Sequence, residues 1–175
     1  MKVKELLVSA GSLLLAGLIL VAAGNILAPT AAANAAAEQQ ETMETLLPGS
    51  TVFTQEADTG TDANIKGEGG WIIETTVDGY AGPIRQWTGV DMDGQVTGLV
   101  VRDMEETFGL GRNALTDIGF LAQFVGTSGE AEVGNGVDAI TGATVTSRAI
   151  ARGVSSACGY VTGADVTTSA TEWGG

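Results

Sequence analysis

The fold of this 175-residue chain is decided by residues 71–102, WIIETTVDGYAGPIRQWTGVDMDGQVTGLVVR. Three runs within it, 71–77, 84–90 and 95–102, are rich in β-branched and aromatic residues, a composition typical of strands. The two connections are short and each contains an Asp-Gly pair, which favours a tight hairpin turn. Because short turns join neighbouring strands in antiparallel order, the stretch predicts an antiparallel meander.

Helices are predicted on both sides of the meander. Residues 113–125 carry apolar side chains at a helical period, and residues 146–161 also read as a helix, with a short strand expected between them at 137–140. Before the meander, 29–48 predicts an Ala-rich helix or linker, and 51–54 a short strand followed by a loop. The expected fold class is therefore α+β, a twisted antiparallel sheet with packed helices.

The N-terminal sequence predicts a membrane anchor. Leu6–Ala28 is uncharged, reads LLVSAGSLLLAGLILVAAGNILA, and has the length of a membrane-crossing helix. Lys2 and Lys4 precede it, so a cytoplasmic N-terminus and an extracytoplasmic domain are expected. The alternative is a secretory signal cleaved within the Ala-rich run 31–37. We expect an uncleaved single-pass anchor at 1–28, a juxtamembrane linker and irregular segment at 29–70, an extracytoplasmic domain at 71–163 and a flexible tail at 164–175.

The composition excludes several classes of function. The net charge is −13, with 8 Lys and Arg against 21 Asp and Glu, so no nucleic-acid partner is expected. The acidic surface is either a solvated coat or a docking face for a basic partner. The chain has one cysteine and no histidine, which excludes histidine-dependent catalysis and nearly excludes zinc, haem and iron–sulfur sites. We expect no metal ligands and no catalytic side chain, and any redox chemistry needs an organic cofactor.

Residues 138–148, DAITGATVTSR, form the most informative segment for chemistry. It predicts the end of a strand, a glycine turn and the start of a helix, where four hydroxyl residues cluster: Thr141, Thr144, Thr146 and Ser147. A helix N-terminus favours a phosphate, Gly142 permits close approach of a ligand, and Arg148 adds a cation. Hydroxyl residues are also the usual helix N-caps, so phosphate binding and plain capping both remain open.

This segment resembles the flavinylation motif of the FMN-binding domain family, Asp-x-x-(Ser/Thr)-Gly-Ala-Thr. Every fixed position is matched, by Asp138, Thr141, Gly142, Ala143 and Thr144. The resemblance implies that a flavin transferase joins the phosphate of FMN to Thr144 through a phosphoester. It also implies that Asp138, Gly142 and Ala143 are recognised by that transferase.

Two further stretches carry the same resemblance. Residues 78–84, DGYAGPI, resemble the Gly-Tyr-x-Gly-x-Ile stretch of the family. Residues 106–111, ETFGLG, resemble its Glu-Thr-Pro-Gly-Leu-Gly loop, with Phe108 where proline is usual; we refer to them as the glycine loop. By itself this loop is either a strand-to-helix turn or a place where the backbone approaches a flat ring.

The resemblance implies contacts to FMN from the glycine loop and from the motif. The candidate residues are Thr107, Leu110, Gly111, Thr141, Gly142, Ala143, Val145 and Thr146, besides Thr144 itself. Three aromatic residues able to stack on a flavin, Trp71, Tyr80 and Trp87, are not assigned to the site, because aromatic residues in strands are more often core.

The order of these segments is similar to that in the G subunits of Rnf-type ion-translocating electron transport complexes, and the motif also resembles that of the C subunit of sodium-pumping NADH:quinone oxidoreductase. The resemblance implies an electron relay through covalent FMN. The implied partners are the other subunits of the complex, a flavin transferase and a multihaem cytochrome on the outer side. Two alternatives remain: a flavin domain of a different electron-export system, and a non-redox membrane-anchored binding module.

Overall fold

The computed structural model describes residues 30–56, 63–105 and 117–163. Helix α1 covers residues 30–46, and the later elements follow in this order: β1 (Thr54–Glu56), β2 (Ala63–Lys66), β3 (Gly70–Asp78), β4 (Pro83–Asp91), β5 (Val96–Met104), α2 (Ile118–Ala122), β6 (Glu132–Val133), β7 (Gly136–Val137) and α3 (Thr144–Thr162). The chain divides into two compact units, Met1–Glu41 and Thr42–Gly175. The described part of the first unit, 30–41, is helical and largely exposed.

The second unit is built on a five-stranded antiparallel sheet with strand order β1-β2-β3-β4-β5. Neighbours in the sheet are also neighbours in sequence, as in a meander. The central strands β3 and β4 pair from Gly70↔Asp91 to Asp78↔Pro83, and the Gly79 N–H donates to the Gly82 carbonyl at 2.9 Å to close their turn. Strands β6 and β7 form a small parallel pair of their own.

One face of the sheet packs against α3. Side chains alternate along a strand, so the apolar residues of β3 and β4 that face α3 contribute to the larger apolar cluster. Ile73, Ile84 and Val90 are fully buried there with Ile150 of α3, and α2 adds Phe120. Burial of each large side chain contributes roughly 1.5–3 kcal/mol, so this face supplies most of the driving force for folding of the unit.

The opposite face of the sheet is covered by the end of α1. This second apolar cluster consists of Met43, Leu46, Leu47, Ile65, Ile72 and Trp87. Gly89 and Gly98 let the backbone of Leu46 lie directly on β4 and β5, because a Cβ at Gly89 would overlap the Leu46 carbonyl oxygen. Thr97 Oγ1 donates a hydrogen bond to that oxygen at 2.5 Å. The two glycines are therefore required by close packing.

Two polar side chains of the sheet bind the main chain of α3. Gln86 Nε2 donates to the Ile150 carbonyl at 3.2 Å, and Thr75 Oγ1 donates to the Gly153 carbonyl at 3.4 Å. Gly153 leaves room for this arrangement, since a Cβ there would lie 2.5 Å from Gln86 Nε2. Because both acceptors are main-chain atoms, these bonds determine where α3 lies along the sheet.

The structure confirms the predicted α+β class and the three strands of the meander, whose bounds differ from the prediction by one or two residues. The predicted strand at 137–140 is wrong beyond Val137, because Asp138 bonds to a side chain instead of a neighbouring strand. Helix α3 begins at Thr144, two residues before the predicted start. Of the predicted helix 113–125, the described residues contain only α2, which ends at Ala122.

Strand β2 lies where the sequence predicts a loop. Its residues, ANIK, show no strand pattern, but they pair with β3 and bury Ile65 in the second apolar cluster. The pairing partner thus determines the conformation of this segment.

Several sequence predictions concern residues outside the described ranges. These are the proposed anchor at 6–28, the glycine loop at 106–111 and the tail at 164–175. Among the described residues, no helix has both the length and the apolar character that crossing a membrane requires.

Candidate functional site

Residues 138–143, which we call the motif turn, connect β7 to α3. The Ala143 N–H donates to the Ile140 carbonyl at 2.9 Å, so the chain reverses tightly. Gly142 has a φ of 79°, a left-handed conformation that a residue with a Cβ adopts only with strain. Thr141 and Gly142 are both exposed. The tip of the motif turn therefore points into solvent.

The N-terminus of α3 has no side-chain cap. Its N-cap residue is Ala143, and the first intrahelical bond runs from the Ser147 N–H to the Ala143 carbonyl at 2.9 Å. The N–H groups of Thr144, Val145 and Thr146 precede that bond and have no carbonyl partner within the helix. Together with the positive end of the helix dipole, these groups suit an anion such as a phosphate.

Helix α2 shows the ordinary arrangement for comparison. There Asp117 is the N-cap, and its Oδ1 accepts a hydrogen bond from the Phe120 N–H at 2.9 Å. The motif contains four hydroxyl residues near the start of α3, but none of them caps it. Plain capping, one of the two interpretations of the sequence, is therefore not what these hydroxyls do.

The candidate threonines differ in accessibility. Thr144 is the first residue of α3 and is exposed, as is Val145 with 41% of its surface accessible. Thr146 is only 2% exposed. A bulky group can be joined only to an oxygen that another molecule can reach, so Thr144 meets this requirement and Thr146 does not.

Ser147 supports the motif turn from its inner side. This side chain is fully buried, and its Oγ accepts from the Ile140 N–H at 3.1 Å while donating to the Ala143 carbonyl at 2.9 Å. The hydroxyl thereby joins the two residues that close the turn. Its role is to hold the turn rather than to contact a ligand.

Gln123 holds the start of the motif turn. Its Oε1 accepts from the Asp138 N–H at 2.8 Å, and its Nε2 donates to the Asp138 carbonyl at 3.4 Å. Among the described residues, the Asp138 carboxylate itself forms no hydrogen bond or ion pair, and Asp138 is exposed. The acidic side chain is thus accessible while its main chain is held.

Two arginines follow Thr144 on the same face of α3. Arg148 and Arg152 are spaced at four-residue intervals from Thr144, and both are exposed. Arg152 Nη2 donates to the Asp78 carbonyl at 2.9 Å, which ties this face to the end of β3. Arg148 forms no ion pair with any described residue. In a chain with a net charge of −13, these two arginines place positive charge on the face of α3 that follows Thr144.

The structure brings six of the nine candidate flavin contacts together, in the motif turn and the first helical turn of α3: Thr141, Gly142, Ala143, Thr144, Val145 and Thr146. The other three, Thr107, Leu110 and Gly111, lie in the glycine loop outside the described residues. The next described element along the chain is α2, whose C-cap residue is Gln123.

The aromatic residues left out of the site include two with structural contacts. Trp71 packs edge-to-face against Tyr160, with ring centroids 6.3 Å apart. The indole N–H of Trp87 bonds to the Glu74 carboxylate, and the Arg102 guanidinium lies 4.2 Å from the centre of its ring. Tyr80 lies in the turn after β3, and 73% of it is exposed.

Cys158 is a structural thiol. It is buried in the larger apolar cluster, and burial raises its pKa to about 11, with the charge of Asp91 adding to the effect. The thiol therefore stays protonated and unreactive at neutral pH. In the described ranges, no group of three or more Cys, Asp and Glu residues is arranged to hold a metal ion.

Of the two residues that hold the motif turn, Ser147 was grouped with the hydroxyls expected to bind phosphate or cap α3, and Gln123 was not predicted at all. Ser147 has a recognisable signal, because serine within a helix often bonds back to the carbonyl four residues earlier. Gln123 has none, because it binds main-chain atoms of a residue 15 positions away.

Comparison with known proteins identifies relatives of this chain. The FMN-binding domain family matches residues 79–159, a range that includes every candidate flavin contact. The G subunit of the Na⁺-translocating ferredoxin:NAD⁺ oxidoreductase complex of Acetobacterium woodii is 35% identical over 96 aligned residues, and the alignment covers 49% of this chain and 45% of that protein. The G subunit of the proton-translocating ferredoxin:NAD⁺ oxidoreductase complex of Clostridium ljungdahlii is 31% identical over 167 residues, 85% of each chain.

Proposed function

We infer the function from one premise: this chain belongs to the FMN-binding domain family, and it is similar to two G subunits of ferredoxin:NAD⁺ oxidoreductase complexes. On this premise, we propose an electron-transfer subunit that carries FMN joined to Thr144 by a phosphoester. The observation that carries the proposal is the position of Thr144, exposed at a helix N-terminus that no side chain caps.

The motif turn has the chemistry that a phosphoester of FMN requires. The Thr144 hydroxyl would carry the phosphate, and the N–H groups of Val145 and Thr146 at the uncapped start of α3 would supply hydrogen-bond donors for it. Gly142, which has no side chain, leaves room for the phosphate beside the turn. Arg148, one helical turn further on, adds positive charge.

The glycine loop is proposed to contact the isoalloxazine ring through Thr107, Leu110 and Gly111. This assignment rests on the family resemblance and on the family match, which includes the loop. Thr141 and Ala143 complete the set of proposed contacts from the motif turn.

An electron relay needs no catalytic side chain. The flavin, when bound, supplies transfer of one or two electrons, and the protein supplies binding, orientation and electrostatic environment. This division agrees with a chain that contains no histidine. The exposed position of the motif turn leaves the site accessible to other proteins.

The proposed partners follow from the names of the relatives. Both are subunits of ferredoxin:NAD⁺ oxidoreductase complexes, and we propose that this chain serves as the G subunit of such an Rnf-type complex. One name specifies Na⁺ and the other protons, so translocation of an ion is assigned to the assembled complex. A multihaem cytochrome is proposed as a further partner on the outer side.

Maturation and location complete the proposal. A flavin transferase recognises Asp138, Gly142 and Ala143 and transfers FMN from a flavin dinucleotide to Thr144. The Thr144 oxygen bonds to the FMN phosphorus, the pyrophosphate bond breaks, AMP leaves, and the hydroxyl proton passes to solvent. Residues 6–28 anchor the chain in the cell membrane, with the N-terminus in the cytoplasm and the flavin domain, 71–163, outside. A covalent bond keeps the flavin attached where no pool of FMN replaces it.

The test is flavin fluorescence after denaturation. The full chain is produced together with a flavin transferase of the native host and separated on a denaturing gel, where only covalently bound flavin stays with the protein. We expect a fluorescent band for the natural sequence and none for Thr144→Ala. The matched control is Thr162→Ala, the same substitution at the other end of α3, which should keep full fluorescence.

Two results would contradict the proposal. Fluorescence retained in Thr144→Ala would move the linkage to another residue. The next hydroxyl along α3 is Thr146, which is 2% exposed and could be joined to flavin only if its side chain became accessible. A natural chain without fluorescence would exclude the covalent flavin and favour a non-redox module. Co-purification of further subunits with the full chain from its native membrane tests the proposed complex separately.

A further inference from the structure

The amide of Gln123 pairs with the main chain of Asp138 as a neighbouring strand would. Oε1 accepts from the Asp138 N–H at 2.8 Å and Nε2 donates to the Asp138 carbonyl at 3.4 Å, so one side chain satisfies both main-chain groups of the residue. Strand β7 ends one residue earlier, at Val137. The Gln123 side chain therefore supplies to Asp138 the two hydrogen bonds that a neighbouring strand would supply if β7 were one residue longer.

The motif turn is consequently held at both ends. Gln123 holds its first residue, Asp138, from α2, while Ser147 Oγ holds Ile140 and Ala143 from α3. Between these anchors, Thr141 and Gly142 are exposed. Neither residue forms a hydrogen bond with another residue that the structure describes. The turn is fixed on its protein side and accessible on its solvent side.

We propose that Gln123 is a positioning residue for flavin attachment, which holds Asp138 at a set place relative to Thr144 while leaving the Asp138 carboxylate accessible to the transferase. This inference rests on the proposed function. Ser147 acts on the later part of the turn, so Gln123 is what orders the residue that the transferase is proposed to recognise.

The bonds of Gln123 are too exposed to contribute much to global stability. Both lie at the surface, where water replaces a lost partner, so their removal has little effect on unfolding. Their effect on order is larger, because Asp138 otherwise samples several conformations and only a fraction of them suits the transferase. Loss of the two bonds lowers the equilibrium constant for the held conformation of Asp138 by at most about tenfold, which corresponds to a fall of about threefold in the fraction that suits the transferase.

The experiment compares the rate of flavin attachment in full-length variants. Cells that already hold the chain receive the transferase from an inducible promoter, and in-gel flavin fluorescence is followed with time. Gln123→Met removes both bonds at similar side-chain length, and Gln123→Glu keeps only the acceptor for the Asp138 N–H. Gln95→Met is the matched control, since Gln95 is exposed in the turn between β4 and β5.

We expect the initial rate to fall about threefold in Gln123→Met and less in Gln123→Glu, with the control at the natural rate. Thermal unfolding of the chains made without transferase should shift by at most about 5 °C in Gln123→Met and not at all in the control, and a larger shift would indicate a structural role. Amide hydrogen exchange at Asp138 should accelerate in Gln123→Met, because its N–H loses its acceptor.

An unchanged rate in folded Gln123→Met would overturn the inference while leaving covalent flavin at Thr144 intact. A natural chain that takes up no flavin would overturn both. If Gln123→Met does not fold, Gln123→Glu decides: the natural rate contradicts positioning, and a reduced rate with natural unfolding supports it.

Discussion

The two ends of α3 differ in their capping: the C-terminus has an ordinary cap and the N-terminus has no side-chain cap. At the C-terminus, Gly163 adopts a left-handed φ of 69° and Thr162 Oγ1 donates to the Cys158 carbonyl at 2.9 Å, an ordinary helix end. At the N-terminus, the cap residue is Ala143, and no side chain bonds to the first N–H groups. A capping side chain would contribute about 0.5–2 kcal/mol. The open end therefore lowers stability, as expected where the N–H groups are kept for a ligand.

The surroundings of the open end are not loose. Ser147 and Gln123 hold the inner side of the motif turn through main-chain atoms, while Thr141, Gly142 and Thr144 face solvent. The comparison shows that rigidity and accessibility are separated within a few residues. A phosphate and an attaching enzyme both need this combination, because the donors must be in place before the ligand arrives.

Ser147→Ala has the largest expected effect, because it removes the inner support of the open end. The partly buried Ile140 N–H loses its acceptor, and the free energy of unfolding should fall by about 2 kcal/mol. Urea unfolding of the full chain in detergent measures the change. Ser156→Ala is the control, since Ser156 is half-exposed on the same helix. Equal stabilities of the two variants would show that Ser147 does not support the turn.

Gly163→Ala tests the satisfied end. Nothing lies within 4 Å of an added Cβ, so the effect is backbone strain alone, and the free energy of unfolding should fall by about 1 kcal/mol. Flavin attachment to Thr144 should be unaffected. A drop in attachment would mean that the C-terminus of α3 affects the N-terminus. The two ends could then no longer be treated as independent.

Ala143→Ser closes the open end with the cap that it lacks. The serine hydroxyl can accept from the N–H of Val145 or Thr146, so the chain without flavin should gain about 0.5 kcal/mol in stability. Attachment of flavin should become slower, because the new side chain occupies the donors. Ala151→Ser, within the buried middle of α3, is the control and should not gain stability. Faster attachment in Ala143→Ser would contradict a phosphate site at these donors.

Prediction from the sequence succeeded where the signal is local. The meander is encoded by β-branched runs and Asp-Gly turns, and the structure has β3, β4 and β5 at those positions. Strand β2 could not be predicted, because ANIK becomes a strand only through pairing with β3. In the site, Thr144 was identified from the motif, whereas Gln123 was not. Gln123 binds main-chain groups of Asp138, and because every residue has such groups, the sequence contains no pattern that predicts this contact.

The α+β class, the membership of the FMN-binding domain family and the choice of Thr144 as the proposed attachment residue all follow from the amino-acid sequence. These follow from residue identity and short-range order, which a chain carries before it folds. Only the tertiary structure decided that α3 starts without a cap, that Thr144 is exposed while Thr146 is buried, and that α2 holds Asp138. Accessibility and main-chain pairing depend on what packs beside a residue, and for the motif turn those neighbours come from α2 and α3.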